Sequence, residues 1–293
     1  MKQKFSIRIA ILLWFVATFS FAQIRPLTQF PDDKVMVVAH RGDWRNAPEN
    51  SVWAIKLAME MGVDMVEIDL ARSKDGVIFL MHDKTVNRTT NGKGKTEDFT
   101  WEELQQLYLR DGSGQVTQMK IPSLEDILKL TKGKIYINLD KGFNYIEEVY
   151  PLLKKYDMLD EVLFKGSQRY PEFNAKYGHL KNDIHYMPIV NLDKVDSEDV
   201  VKEYQKNYKV YGFEFVFKDE KNIISFSRLR KKGTKVWMNS LWKRLNPGYY
   251  DDLALESPKV YDWYLKNNVN IIQTDRPKIL IQYLKEKGLK MDN

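Results

Sequence analysis

Short runs rich in Val, Ile, Leu and aromatic residues recur along the 293-residue chain, and between most of them apolar positions return at the spacing of a helix face. The runs predict strands over 35–39, 64–70, 77–82, 134–140, 161–165, 184–190, 210–217, 234–240 and 270–274. The helical spacing predicts helices over 51–61, 101–108, 123–131, 144–156, 197–207 and 258–267, with Pro122-Ser123 and Ser257-Pro258 as helix starts. Strands alternating with helices over this length specify a parallel α/β fold, and the architecture expected is a (β/α)8 TIM barrel. No repeat, low-complexity tract or interdomain linker breaks the pattern, so a single barrel domain over 23–293 is expected.

Nine runs are one more than such a barrel needs. Only ARSKDG separates the second from the third, too short for a helical crossover, and Asp75-Gly76 is a two-residue hairpin signal. The second barrel strand is therefore expected to turn back as a β-hairpin, pairing 74 with 77, 71 with 80 and 69 with 82. Alternation would then put Glu67, Asp69 and His82 on one face, with Asp69 opposite His82. Residues 84–122 carry turn residues, one short helix and no barrel strand, and read as a small insertion over the catalytic face. The triplet Asn87-Arg88-Thr89 has the glycosylation pattern, but so short a match carries little weight.

The first residues follow another rule. Lys2, Lys4 and Arg8 precede the apolar run IAILLWFVATFSFA, which closes on the small-x-small triplet Ser20-Phe21-Ala22. This is the pattern of a signal peptide over 1–22, cleaved before Gln23, with retention as an anchor the alternative. The run is short for a membrane span, so no stable span is expected after cleavage. The absence of cysteine excludes a lipoprotein anchor. A secreted or periplasmic domain follows, large enough to fold without disulfides. Removing the three basic residues of the leader lowers the net charge from +6 to +3. That balance is too mild for nucleic acid, and no basic stripe with interleaved aromatics occurs. It is compatible with anionic small molecules or lipid headgroups.

The first barrel strand ends on His40-Arg41, where a strand serving only the core would end in turn residues. Strand ends are where α/β folds keep their chemistry. Glu67 and Asp69, at i and i+2, project from one strand face, and Asp140 ends the strand NLD with Asn138 on the same face. Three hard oxygen donors on adjacent strands suit one divalent cation, Mg²⁺ or Ca²⁺, while nothing calls for zinc. Of the four histidines only His40 and His82 end strands; His179 lies in a loop and His185 near a strand start. Two imidazoles beside a cation and an arginine suit acid-base chemistry on a phosphoester. Glu214 and Asn239 are polar positions inside apolar strands that would meet the leaving group if they face the lumen.

AHRGDWRNAPENS, VEIDLARSKDGVIFLMHD, NRTTNGKG, IPSLEDIL and TDRP occur in this order and together resemble the glycerophosphodiester phosphodiesterase family, most densely over 37–140. The resemblance implies a TIM barrel and a metal-dependent site that hydrolyses a small-molecule glycerophosphodiester to glycerol 3-phosphate and an alcohol. It makes His40 and His82 the acid-base pair, Arg41 a phosphate ligand, and Glu67 and Asp69 metal ligands. Asp140 stands where the family usually has a glutamate. Glu49 matches a glutamate beside metal and substrate, although a cap for the helix beginning near Ser51 explains it equally. Gly42 would turn the chain away without a side chain blocking the phosphate. Two rivals use the same barrel. One is a phospholipase-D-like hydrolase of lysophospholipid or other lipid-headgroup diesters, for which Trp242, Tyr249 and Tyr250 could form an apolar rim. The other is a catalytically silent secreted binding module.

One departure from the family concerns a cation. The family strand reads carboxylate-x-Lys with both side chains inward, whereas here the order is Asp140-Lys141-Gly142. Alternation sends Lys141 to the helix layer unless the strand bulges at Gly142. Lys165, ending the next strand, is expected to supply the missing phosphate contact.

Overall fold

A computed structural model describes residues 24–291; the leader and its cleavage site lie outside the described residues. Strands β1 (Met36–His40), β2 (Met65–Arg72), β4 (Tyr136–Asp140), β5 (Val162–Gly166), β6 (His185–Asn191), β7 (Gly212–Val216), β8 (Lys235–Asn239) and β9 (Ile271–Thr274) pair in parallel. β9 pairs with β1 and β1 with β2, which closes an eight-stranded TIM barrel. β3 (Ile78–Leu80) is the extra run, antiparallel to β2.

Helices α1 (Val52–Met61), α2 (Trp101–Leu104), α3 (Leu124–Thr131), α4 (Ile146–Tyr156), α6 (Ser197–Asn207) and α8 (Asp262–Lys266) lie within the stretches the spacing predicts. Three more, α5 (Tyr170–Tyr177), α7 (Phe226–Arg230) and α9 (Pro277–Glu286), complete the layer. The first two are short and weakly patterned. α9 carried a readable signal, a proline in its first turn followed by buried Leu280, Ile281, Tyr283 and Leu284.

Alternation along the strands builds the lumen in two tiers. Met36, Val38, Met65, Tyr136, Leu163, Met187, Trp237 and Ile271 pack below, plugged by Leu27 and Phe30 of the N-terminal segment. Two residues further along the same strands the side chains become polar: Val38 gives way to His40, Met65 to Glu67, Tyr136 to Asn138, Leu163 to Lys165 and Trp237 to Asn239. The intervening positions, such as Val37, Val66, Ile137 and Phe164, join the helices in the outer core. Burial on both faces thus leaves chemistry only at the C-terminal strand ends.

The hairpin exists, but its register differs by one residue from that expected. Leu70 pairs with Leu80, Ala71 with Phe79 and Arg72 with Ile78. The turn has three residues, with Ser73 N donating to Val77 O at 3.0 Å and Gly76 at φ +90°. Ser73 Oγ also accepts from Val77 N at 2.9 Å and donates to Asp75 Oδ1 at 2.6 Å, which stabilises the longer loop. Met81 N, not His82, therefore faces Asp69, donating to its carbonyl at 3.0 Å. The insertion covers the hairpin: Val86, Leu104, Leu109 and Ile121 pack on Ala71, Phe79 and Met81. Its helix α2 stops at Leu104 rather than reaching 108, and Gln105 turns its side-chain amide to Ile121 O at 2.9 Å.

Candidate active site

β1 delivers His40 and Arg41 to the mouth, and the chain then turns sharply. Arg41 and Gly42 adopt positive φ, +55° and +76°. A Cβ on Gly42 would lie 2.7 Å from the Ala54 carbonyl carbon, so this glycine makes room for helix α1 and not for a phosphate. Ser51 caps α1 by accepting from Ala54 N at 3.0 Å. Glu49 is thus free of the capping role and instead accepts from Arg41 Nη1 at 2.9 Å.

Glu67, Asp69 and Asp140 bring ligand oxygens within 4.8 Å of one another. Burial pushes the Glu67 carboxyl well above its ordinary range, and the charges of Asp69 and Asp140 push it further. Asp140 rises for the same two reasons, burial first and then Asp69. Burial also acts on Asp69, but Arg41, His82, Lys141 and Asn50 outweigh it and hold that carboxyl below its usual range. Such an array of crowded, desolvated oxygens fits a hard divalent cation, whose charge relieves the repulsion. The cluster is held from outside. Asn50, itself at φ +57°, donates to Asp69 Oδ2 at 2.9 Å and accepts from Asp69 N at 3.1 Å. Arg41 N donates to Glu67 Oε2 at 3.2 Å, and Arg41 Nε lies 3.2 Å from Asp69 Oδ2.

Each mouth imidazole has a carboxylate on Nδ1. His40 Nδ1 is 2.8 Å from Asp275 Oδ1, which also accepts from Trp44 Nε1 at 2.6 Å. Those contacts and Arg45 overcome the effect of burial and keep Asp275 below its ordinary range. His82 Nδ1 is 2.7 Å from Asp83 Oδ1. The carboxylates favour the Nδ1–H tautomer and leave Nε2 of each ring for other partners. Trp242 meets the His40 ring edge-on, centroids 5.7 Å apart, with its own indole nitrogen buried and unpartnered.

Lys141 corrects the sequence reading. It sits at φ +61°, and this left-handed step turns its side chain back, placing Nζ 3.5 Å from Asp69 Oδ1 and 2.7 Å from His82 O. Lys165 is also in the lumen, but its ammonium is 2.8 Å from Glu214 Oε2 and lies over the Trp237 ring at 4.0 Å. Glu214 Oε1 accepts from Asn239 Nδ2 at 2.6 Å, and Asn239 Oδ1 from Trp237 Nε1 at 3.0 Å. Glu214 and Asn239 thus face the lumen as a connected group with its charges matched. Tyr249 stacks on Trp263 at 4.8 Å and serves packing. His185 pairs with Asp160 at the opposite end of the barrel, and His179 lies in a short 3-10 turn, so neither joins the site. Sequence reasoning assigned no role to Asn50, Asp83, Arg88 or Asp275, although the quoted motifs PEN, HD, NRT and TDRP contained them.

The barrel, its acidic cluster and its paired imidazoles define a class of phosphoester hydrolases that work at the C-terminal face of a TIM barrel. Residues 40–279 match the family model of the glycerophosphoryl diester phosphodiesterase family, and the chain belongs to that family. A glycerophosphodiester phosphodiesterase of Caldanaerobacter subterraneus is 34% identical over 52% of this chain and 67% of its own length. The matches to further curated relatives span less than two thirds of those proteins. The crystal structure of a glycerophosphoryl diester phosphodiesterase from Parabacteroides distasonis superposes with a TM-score of 0.74 at 25% identity, covering 91% of this chain and 94% of that one. An Oleispira antarctica phosphodiesterase, solved with the product sn-glycerol-3-phosphate, shares the fold at a TM-score of 0.64 and 21% identity, over 86% of this chain and 97% of that one.

Proposed function

We propose that the protein hydrolyses glycerophosphodiesters to glycerol 3-phosphate and an alcohol, and that it does so outside the cytoplasm after loss of residues 1–22. The observation that carries the reading is the convergence of Glu67, Asp69 and Asp140 beside Arg41, Lys141 and two carboxylate-braced imidazoles. Family membership and the glycerol phosphate bound in the Oleispira relative support it.

Glu67, Asp69 and Asp140 would hold one Mg²⁺ or Ca²⁺, which when bound supplies Lewis-acid stabilisation of charge on the phosphoryl oxygens. Arg41 and Lys141 hold the anionic phosphodiester, with Lys165 a further cation deeper in the lumen. One imidazole takes a proton from the attacking water at Nε2, and the other gives its Nε2 proton to the departing alkoxide. Asp275 and Asp83 keep the rings oriented and stabilise the imidazolium as charge develops. Glu49 fixes the Arg41 fork, and Glu214, Asn239 and Trp242 line the wall where the alcohol leaves.

The test is to incubate purified protein with a panel of glycerophosphodiesters and lysophospholipids, with and without chelator, and identify the products. Glycerol 3-phosphate should form, vanish on chelation and return with Mg²⁺ or Ca²⁺. Full activity in exhaustive chelator with no metal retained overturns the metal assignment. Lysophosphatidic acid as the main product points to the phospholipase-D-like rival, and binding without turnover to the silent module.

A further inference from the structure

His40 and His82 are held in different ways. The His40 side chain is 9% exposed and wedged against Trp242, whereas His82 is 40% exposed and follows the end of β3. Packing therefore cannot set the His82 rotamer, and a polar brace must. We propose that Arg88, delivered by the insertion, is a positioning residue that holds the His82 imidazole and the Arg41 guanidinium at a fixed separation across the reacting phosphate.

The contacts form one continuous chain. Arg88 Nε donates to Asp83 Oδ2 at 2.8 Å and Nη2 to Asp83 Oδ1 at 2.9 Å. The same guanidinium reaches Glu49, Nη1 to Oε2 at 2.6 Å and Nη2 to Oε1 at 2.8 Å. Asp83 Oδ1 in turn engages His82, and Glu49 Oε1 engages Arg41, which reaches Asp69. One planar fork thus satisfies two carboxylates at once, a geometry that lysine cannot reproduce. The hydrogen bonds from Arg88, then those from His82, hold the Asp83 carboxyl far below its ordinary range despite partial burial. The backbone around Arg88 is itself anchored: Thr89 Oγ1 contacts Met81 Sδ at 2.9 Å and Thr90 Oγ1 donates to Val86 O at 2.7 Å. Arg88 remains 49% exposed, so its ion pairs add little to stability. Their effect is geometric, and small displacements of reacting groups are costly in rate.

The inference rests on the phosphodiesterase reading, and the experiment separates the two. Arg88→Ala should lower kcat about 10–10²-fold, the scale of a misplaced catalytic group. Its thermal midpoint should fall by less than ~4 °C, as expected for an exposed ion pair. Arg88→Lys should recover little, and millimolar guanidinium ion should restore much of the lost rate to Arg88→Ala where ammonium does not. Independently of turnover, the hydrogen-bonded Nδ1–H proton of His82 should be visible by NMR in the parent protein and lost or shifted in both variants. An unchanged His82 proton, or a kcat within twofold of the parent, overturns the inference. A parent protein that hydrolyses no diester, but whose His82 proton is lost on substitution, overturns the functional reading and leaves the brace standing.

Discussion

Lys141 keeps a left-handed backbone at φ +61°, a state that costs a residue with a Cβ roughly 1–3 kcal/mol and persists where the surroundings over-determine it. What the strain obtains is a cation at the acidic cluster. Lys141→Ala should lower kcat/KM by roughly 10²–10³-fold, the worth of one transition-state charge contact, with stability nearly unchanged. Lys165 behaves differently because its partner is Glu214 in the lumen. Lys165→Met leaves that carboxylate buried and unpaired, which should cost about 3–5 kcal/mol in equilibrium unfolding. Kinetics and denaturation together separate the two lysines, and a reversed pattern would return the phosphate contact to Lys165 alone. The acidic cluster carries its own pH signature. Glu67 and Asp140 have folded pKa values raised above the unfolded ones, so folding of the metal-free protein takes up protons. Its stability should therefore fall as pH rises from about 4 through the raised values. A divalent cation requires the ionised forms, so its stabilisation should grow over the same range. At a hundredfold excess over Kd it should add about 2.7 kcal/mol, and calorimetry showing no shift with either Mg²⁺ or Ca²⁺ would refute the site.

The junction between β1 and α1 carries Arg41, Glu49 and Asn50, all in the site, within one short loop. Its tight path depends on Gly42, where a Cβ would strike the Ala54 backbone and φ is +76°. Gly42→Ala should force β1 and α1 apart. A loss of about 2 kcal/mol or more in chemical denaturation is expected, together with reduced activity, because strained backbone and overpacking add. Retained stability with retained activity would show that the loop can relax without moving Arg41.

At the scale of the molecule, the segment leading into β1 meets the C-terminal segment at the N-terminal end of the barrel. Val35 N donates to Leu289 O at 2.9 Å, and Lys34 Nζ to Gly288 O at 2.9 Å. Beside them Lys290 Nζ lies 2.7 Å from Asp64 Oδ1, with side-chain exposures of 1% and 0%. Asp64 Oδ2 also accepts from Val37 N at 2.8 Å, so this pair ties the C-terminal segment to the first two barrel strands. Lys290→Ala should cost about 3–5 kcal/mol by leaving Asp64 uncompensated. Asp64→Asn with Lys290→Met keeps the acceptor for Val37 and removes both charges, and should recover most of the loss. Equal losses in both proteins would mean that the loss comes from the broken contact itself and not from an uncompensated Asp64 charge.

The barrel was legible because burial on both faces writes itself locally: unbroken apolar runs for strands, three-to-four spacing for helices, and polar residues at strand ends. The same period of two placed Glu67 with Asp69 and Asn138 with Asp140 on inward faces. Alternation failed only where the backbone left the regular strand. The hairpin slipped by one residue because Ser73 and Asp75 favour a three-residue turn, which the insertion grips through Lys74 N to Phe99 O at 2.8 Å and Trp101 N to Asp75 Oδ1 at 2.9 Å. Lys141 turned inward because one left-handed residue reverses the direction its side chain takes. No local pattern could reveal that His40 finds Asp275, 235 residues away, or that Arg88 joins Glu49 to Asp83. Periodicity records which face a residue takes relative to its neighbours in sequence. Which carboxylate meets which imidazole is decided by barrel closure and by how the insertion docks, and those exist only once the chain is folded.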